Sequence, residues 1–224
     1  MPAGMTILVV VAALIYFGVA QRMLDKMRLT DTQALLAIAL MVAGSFITVP
    51  LLSGKTSIEI NLGGTLVPLA IVLYLLVTAD SAYERVRALI ASVVTAAIVF
   101  GIAQYTDFDP SSGTFIDPLW LFSIIAGIVG YLAGRSRRAA FIAGILGILL
   151  TDIVHAIRAW AVDLNSTTVL GGAGVFDSMV LAGIIAVVLA EVVGETRERL
   201  SGGPGVPSVR DDDTTQAEER EGDE

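Results

Sequence analysis

The chain has 224 residues, 55% of them hydrophobic, with a mean hydropathy of +0.78, which is too apolar for its own polar surface to cover in water and reads as a polytopic membrane protein. There is no cysteine, which excludes disulfides, thiolate metal sites and a cysteine nucleophile. The net charge of −8 is concentrated at the C-terminus, where residues 201–224 carry eight acids against two arginines, so it says little about what the apolar part binds.

The first hydrophobic run, 5–20, ends in Gly18-Val19-Ala20, which resembles a signal-peptidase site. Arg22, Lys26 and Arg28 follow at once. Cleavage would leave these charges outside, so a first spanning helix is expected instead. Six more runs follow, at 33–52, 63–79, 88–105, 118–134, 139–157 and 176–193, several of them near the ~20 residues that cross a hydrocarbon core as helix. The basic clusters Arg22/Lys26/Arg28, Arg85/Arg87, Arg135/Arg137/Arg138 and Arg197/Arg199 fall in every second connection. The expected fold is therefore all-α: a bundle of seven transmembrane helices over 1–200 in the plasma membrane, N-terminus outside and C-terminus inside. The remainder, 201–224, opens on Ser-Gly-Gly-Pro-Gly-Val-Pro and continues as a charge block, expected to be a disordered cytoplasmic tail.

Local signals refine the boundaries. Asp117-Pro118 suits a helix start, Val49-Pro50 a helix end, and Pro68 demands a helix beginning near Gly64. Residues 55–60, KTSIEI, alternate polar and β-branched types and predict a short strand or an extended interfacial segment outside the membrane. Trp120 and Trp160 lie near helix ends, as interfacial anchors do. Asn165-Ser166-Thr167 matches a glycosylation acceptor in an outer loop, a pattern short enough to arise by chance.

Leu62-Gly63-Gly64 enters the third helix and Leu170-Gly171-Gly172 the seventh, each after a polar, β-branched stretch. With helices 1 to 3 and 5 to 7 running alike, the topology permits a parallel 3+1+3 repeat. Glycines there either allow close packing or leave N–H groups facing a ligand. The sequence Gly171-Gly172-Ala173-Gly174 lacks the spacing of a dinucleotide fingerprint, and no phosphate-loop sequence occurs.

Asp152, His155 and Arg158 are spaced three apart on the sixth helix and share one side of it. Asp177 starts the seventh helix and Asn61 the third, so all five fall in the outer half. An ionisable group inside a span costs about 2.5 kcal/mol or more at the centre and normally faces protein or water. Two readings stay open: Arg158 or His155 neutralises an aspartate and pins the helices together, or the set forms a site. His155 is the single histidine, which excludes a multi-histidine metal centre, and neither a metal nor a cofactor is assigned.

GGAGVFDSMVLAGIIAVVLA, INLGGTLVPL and GILLTDIVH together resemble an uncharacterised family of prokaryotic multi-pass membrane proteins, domain of unknown function 1614, over roughly 35–193. The resemblance implies membrane location and points to Asn61, Gly63, Gly64, Pro68, Asp152, Gly171, Gly172, Gly174, Phe176 and Asp177 as motif residues, with Ser178 standing where a glycine is expected. It implies no activity. A retinal pigment is excluded because 176–193 hold no lysine for a Schiff base. Intramembrane aspartyl proteases carry their second aspartate directly after Gly-x-Gly, whereas two residues intervene here.

The functional expectation is a small-solute or ion permease or binding protein, with a site formed by Asn61, Gly63, Gly64, Asp152, His155, Arg158, Gly172, Gly174 and Asp177. An intramembrane hydrolase using Asp152 and Asp177 and a noncatalytic scaffold are the alternatives. The expected partners are the lipid bilayer and a small solute, ion or proton; nothing points to nucleic acid.

Overall fold

The computed structural model describes residues 29–105, 118–174 and 177–200. The expected first helix, Asp117, Phe176 and the acidic tail lie outside them. Helix α1 (Asp31–Gly44) opens on a capping box in which Thr30 and Gln33 satisfy each other's backbone N–H groups. It was expected to run to residue 52. Instead it stops at Gly44, and the β-branched, proline-containing segment after it becomes strand β1 (Thr48–Leu52). Pro50 has no N–H for a ladder, and β1 is accordingly an edge strand of a three-stranded sheet. Strand β2 (Thr56–Asn61) pairs antiparallel with β1 and parallel with β3 (Ser166–Leu170). The all-α expectation is thus corrected: the strand expected at 55–60 exists, but as the centre of a sheet.

A π-helical turn, Leu62–Leu66, leads into α2 (Val67–Val77), which places Pro68 in the first turn, where its missing N–H costs nothing. Helix α3 (Ala82–Tyr105) follows after Ser81 caps the Glu84 N–H at 3.1 Å. Helix α4 (Pro118–Gly134) begins and ends where the sequence predicts. Arg135 then takes a left-handed φ of 58°, and Ser136 caps α5 (Arg137–Ala161). The last helix is α6 (Ser178–Leu200). Contacts divide the chain at Glu191/Val192; of the second unit only 192–200 are described, where Thr196 Oγ1 donates to the Val192 carbonyl at 2.7 Å.

Helix α5 is the axis of the first unit and packs against α3 and α4. Its buried face is largely small, with Ala139, Ala140, Ala143, Gly144 and Gly147. Small residues let helix backbones meet, and a methyl at Gly144 would lie 2.8 Å from the Ala182 carbonyl of α6. Leu75, Ile142, Ile145 and Met179 fill the centre. At one end, Arg138 is buried against Asp80 at 3.2 Å and Glu84 at 4.0 Å, and Arg137 pairs with Glu191.

Two helices, α3 and α5, are long and apolar enough to cross a membrane; Asp31–Gly44, Leu62–Val77, Leu119–Gly134 and Ser178–Gly194 are apolar but shorter. Seven complete spans are therefore not what the described residues contain. The second run loses length because its last residues form strand β1, whereas the third opens on the π-helical turn and nearly fills its expected range as Leu62–Val77.

Candidate binding site at the paired glycine turns

Strands β2 and β3 run side by side, with Ile60 opposite Leu170, and each then enters a glycine turn. The pairing ends at that residue pair. The Leu-Gly-Gly match noted in the sequence is two residues out of this register. The turns cross backbone to backbone: a methyl on Gly64 would collide with the Gly171 carbonyl oxygen and lie 2.7 Å from that of Gly174. Gly63 meets the end of α1 in the same way, against the Met41 carbonyl and the Ser45 N–H. Gly171 and Gly174 have φ of 65° and 62°, the left-handed region that a side chain strains.

Asn61 is 2% exposed and devoted to the turn. Its amide donates to the Ser45 carbonyl at 2.9 Å and to Thr48 Oγ1 at 3.2 Å, while its oxygen accepts from the Gly64 N–H at 2.8 Å. Asn61→Leu removes all three and leaves buried groups unsatisfied, so thermal unfolding should show a loss of about 2–4 kcal/mol. Thr65, which carries no motif in the sequence, is 1% exposed, and its hydroxyl has no partner among the described residues. A methyl on Gly171 would strike that hydroxyl, so Thr65 abuts the second turn. Its one sequence signal is a hydroxyl directly behind a glycine pair in an apolar run.

Asp177, 8% exposed, acts as a cap for α6. Oδ1 accepts from the Met179 N–H at 3.0 Å and the Ser178 hydroxyl at 3.5 Å, and Oδ2 accepts from the Ala173 N–H at 3.4 Å. Asp152 differs. It is half-buried on α5, within electrostatic range of Asp177, and has no hydrogen bond or ion pair among the described residues. The two cations expected to neutralise it point to α3 instead. Arg158 donates to Gln104 Oε1 at 2.8 Å and lies 5.4 Å from the centre of the Phe100 ring. His155 packs on the same ring at 5.0 Å. Gly172 is exposed at the rim.

The structure therefore gathers Asn61, Gly63, Gly64, Gly174 and Asp177 into one buried junction, with Asp152 in range of it and His155 and Arg158 drawn aside. No group of three metal-ligating side chains occurs among the described residues. Two carboxylates in electrostatic range repel each other, which a bound cation would offset.

A family model described as Protein of unknown function (DUF1614) matches residues 5–189. The chain belongs to this family. The matched range includes every residue of the junction and stops short of the acidic tail. No curated protein and no solved structure matches the chain.

Proposed function

We propose that the protein is a seven-span plasma-membrane permease or binding protein for a small solute or ion, with its N-terminus outside and its C-terminus inside. Asp152 is the group that takes up and releases a proton or cation in the outer half. The observation that carries this reading is Asp152 itself: a carboxylate on an apolar 25-residue helix with no protein partner among the described residues. Such a group is expensive in a bilayer unless it faces water or a ligand.

The parallel pairing of β2 with β3 supports the topology, because the helices described between them, four in number and so even, can return the chain to one side. The buried glycine turns support the site. Irregular backbone at membrane depth, here the π-turn of Leu62–Leu66 and the left-handed Gly171 and Gly174, is tolerated only against protein or a wet cavity. The hydrolase alternative draws less support, because it needs two carboxylates free to share a proton, and both Asp177 oxygens accept bonds from the start of α6 or the turn before it. Purified protein in liposomes should dissipate an imposed proton gradient or move a solute, and Asp152→Asn should cut the flux by about tenfold or more. Undiminished flux in that variant, or cleavage of added membrane peptides, would overturn the reading.

A further inference from the structure

Following α2 away from the glycine turns leads to the arginine-rich end of the bundle, where the charges are unevenly matched. Arg138 is held by Asp80, Glu84 and the Thr78 carbonyl, and Arg137 by Glu191. Arg87, on α3, has no hydrogen bond or ion pair among the described residues, and its Nη2 atom is fully buried. Arginines near the end of an apolar helix ordinarily extend to water along their apolar stems. A guanidinium nitrogen without an acceptor among the described residues is costly, which favours an acceptor brought by a ligand.

Arg87 borders a groove of about 180 Å³, lined along α3 by Tyr83, Val86, Ile90 and Val94 and closed by Ala133 of α4. The α3 positions recur at helical spacing and form one stripe. Val86 and Ile90 are more than half exposed, so the stripe faces outward from the bundle. Arg87 sits about 8 Å along the axis from the start of α3, near the arginine-rich end of that helix. The neighbouring acid, Glu84, is engaged by Ser136 and Arg138 and does not compensate Arg87.

The geometry points to a binding site for one anionic phospholipid, its phosphate on the Arg87 guanidinium and an acyl chain along Val86, Ile90 and Val94. Charge complementarity and an apolar groove on a helix long enough to span select this occupant over a soluble anion, which would leave the stripe uncovered. The inference rests on the membrane reading above but not on transport.

The test uses the full chain in phosphatidylcholine nanodiscs with and without phosphatidylglycerol, with the lipids that stay bound after detergent extraction identified by native mass spectrometry. Wild type should retain phosphatidylglycerol selectively. Arg87→Gln should reduce retention about fivefold, the effect of one basic group at a membrane surface. Val94→Trp, which fills the groove and leaves the charge, should reduce it similarly, whereas Arg85→Gln should not. Equal retention of the two lipids by wild type, or undiminished retention by Arg87→Gln, would overturn the site. Extraction of the native membranes with alkaline carbonate separates the two levels: release of the chain would overturn the membrane reading and the lipid site together, while a chain that stays integral without preferring phosphatidylglycerol loses the lipid site alone.

Discussion

Gly64→Ala is expected to abolish accumulation of folded protein. The added methyl would meet the carbonyl oxygens of Gly171 and Gly174 and the Gly174 Cα at 2.9 Å, all backbone atoms of the opposing turn. Backbone cannot rotate aside as the end of a flexible side chain can, so either the turns separate or β2 and β3 lose their register. A loss above about 4 kcal/mol is expected, a large share of the ~5–15 kcal/mol that holds a typical domain together. Gly101→Ala on α3 is the matched control, because nothing lies within 4 Å of its added methyl. That change should be neutral or stabilise the helix by up to about 1 kcal/mol. Monodisperse yield and melting temperature of the two variants side by side check the prediction; equal behaviour would mean that the turns do not cross as described.

The second large effect separates the two aspartates. Asp152→Asn should lose function while keeping or raising stability, since it replaces an unmatched carboxylate on an apolar helix with a neutral amide of the same shape. Asp177→Asn should keep activity and lose at most about 1 kcal/mol of stability, because asparagine caps a helix about as well as aspartate but cannot accept from both the Met179 and Ala173 N–H groups. Asp177→Ala removes the acceptors for the Met179 and Ala173 N–H groups and should lower stability by about 1–2 kcal/mol. Flux assays and thermal unfolding on the three variants distinguish this division of labour from a catalytic pair, in which Asp177→Asn would be as inactive as Asp152→Asn.

These assignments show which features the sequence carried and which it could not. Long periodic runs with flanking arginines were legible: α4 starts at Pro118 as expected, and α5 lies within a few residues of its predicted limits. The end of α1 was not, because Thr48–Leu52 is as apolar as a helix end, and only its pairing with β2 reveals it as strand. The importance of Asn61, Gly64, Gly171 and Asp177 was visible in the motifs, yet their roles were not. Asn61 and Asp177 read as polar groups available to a ligand, and three-dimensional pairing turns both toward backbone N–H groups. Likewise, the three-residue spacing of Asp152, His155 and Arg158 left open an internal ion pair or a site. Spacing along one helix carries no information about Phe100 and Gln104 on the neighbouring helix, which hold His155 and Arg158.

The central claim, that Asp152 faces a water-reachable site in the outer half, is tested most directly by Asp152→Cys in this otherwise cysteine-free chain. A membrane-impermeant maleimide added from outside should label that position, with Lys55→Cys in the exposed turn after β1 as the positive control. Labelling of position 55 together with protection of position 152, or labelling of position 152 from the cytoplasmic side alone, would contradict the account.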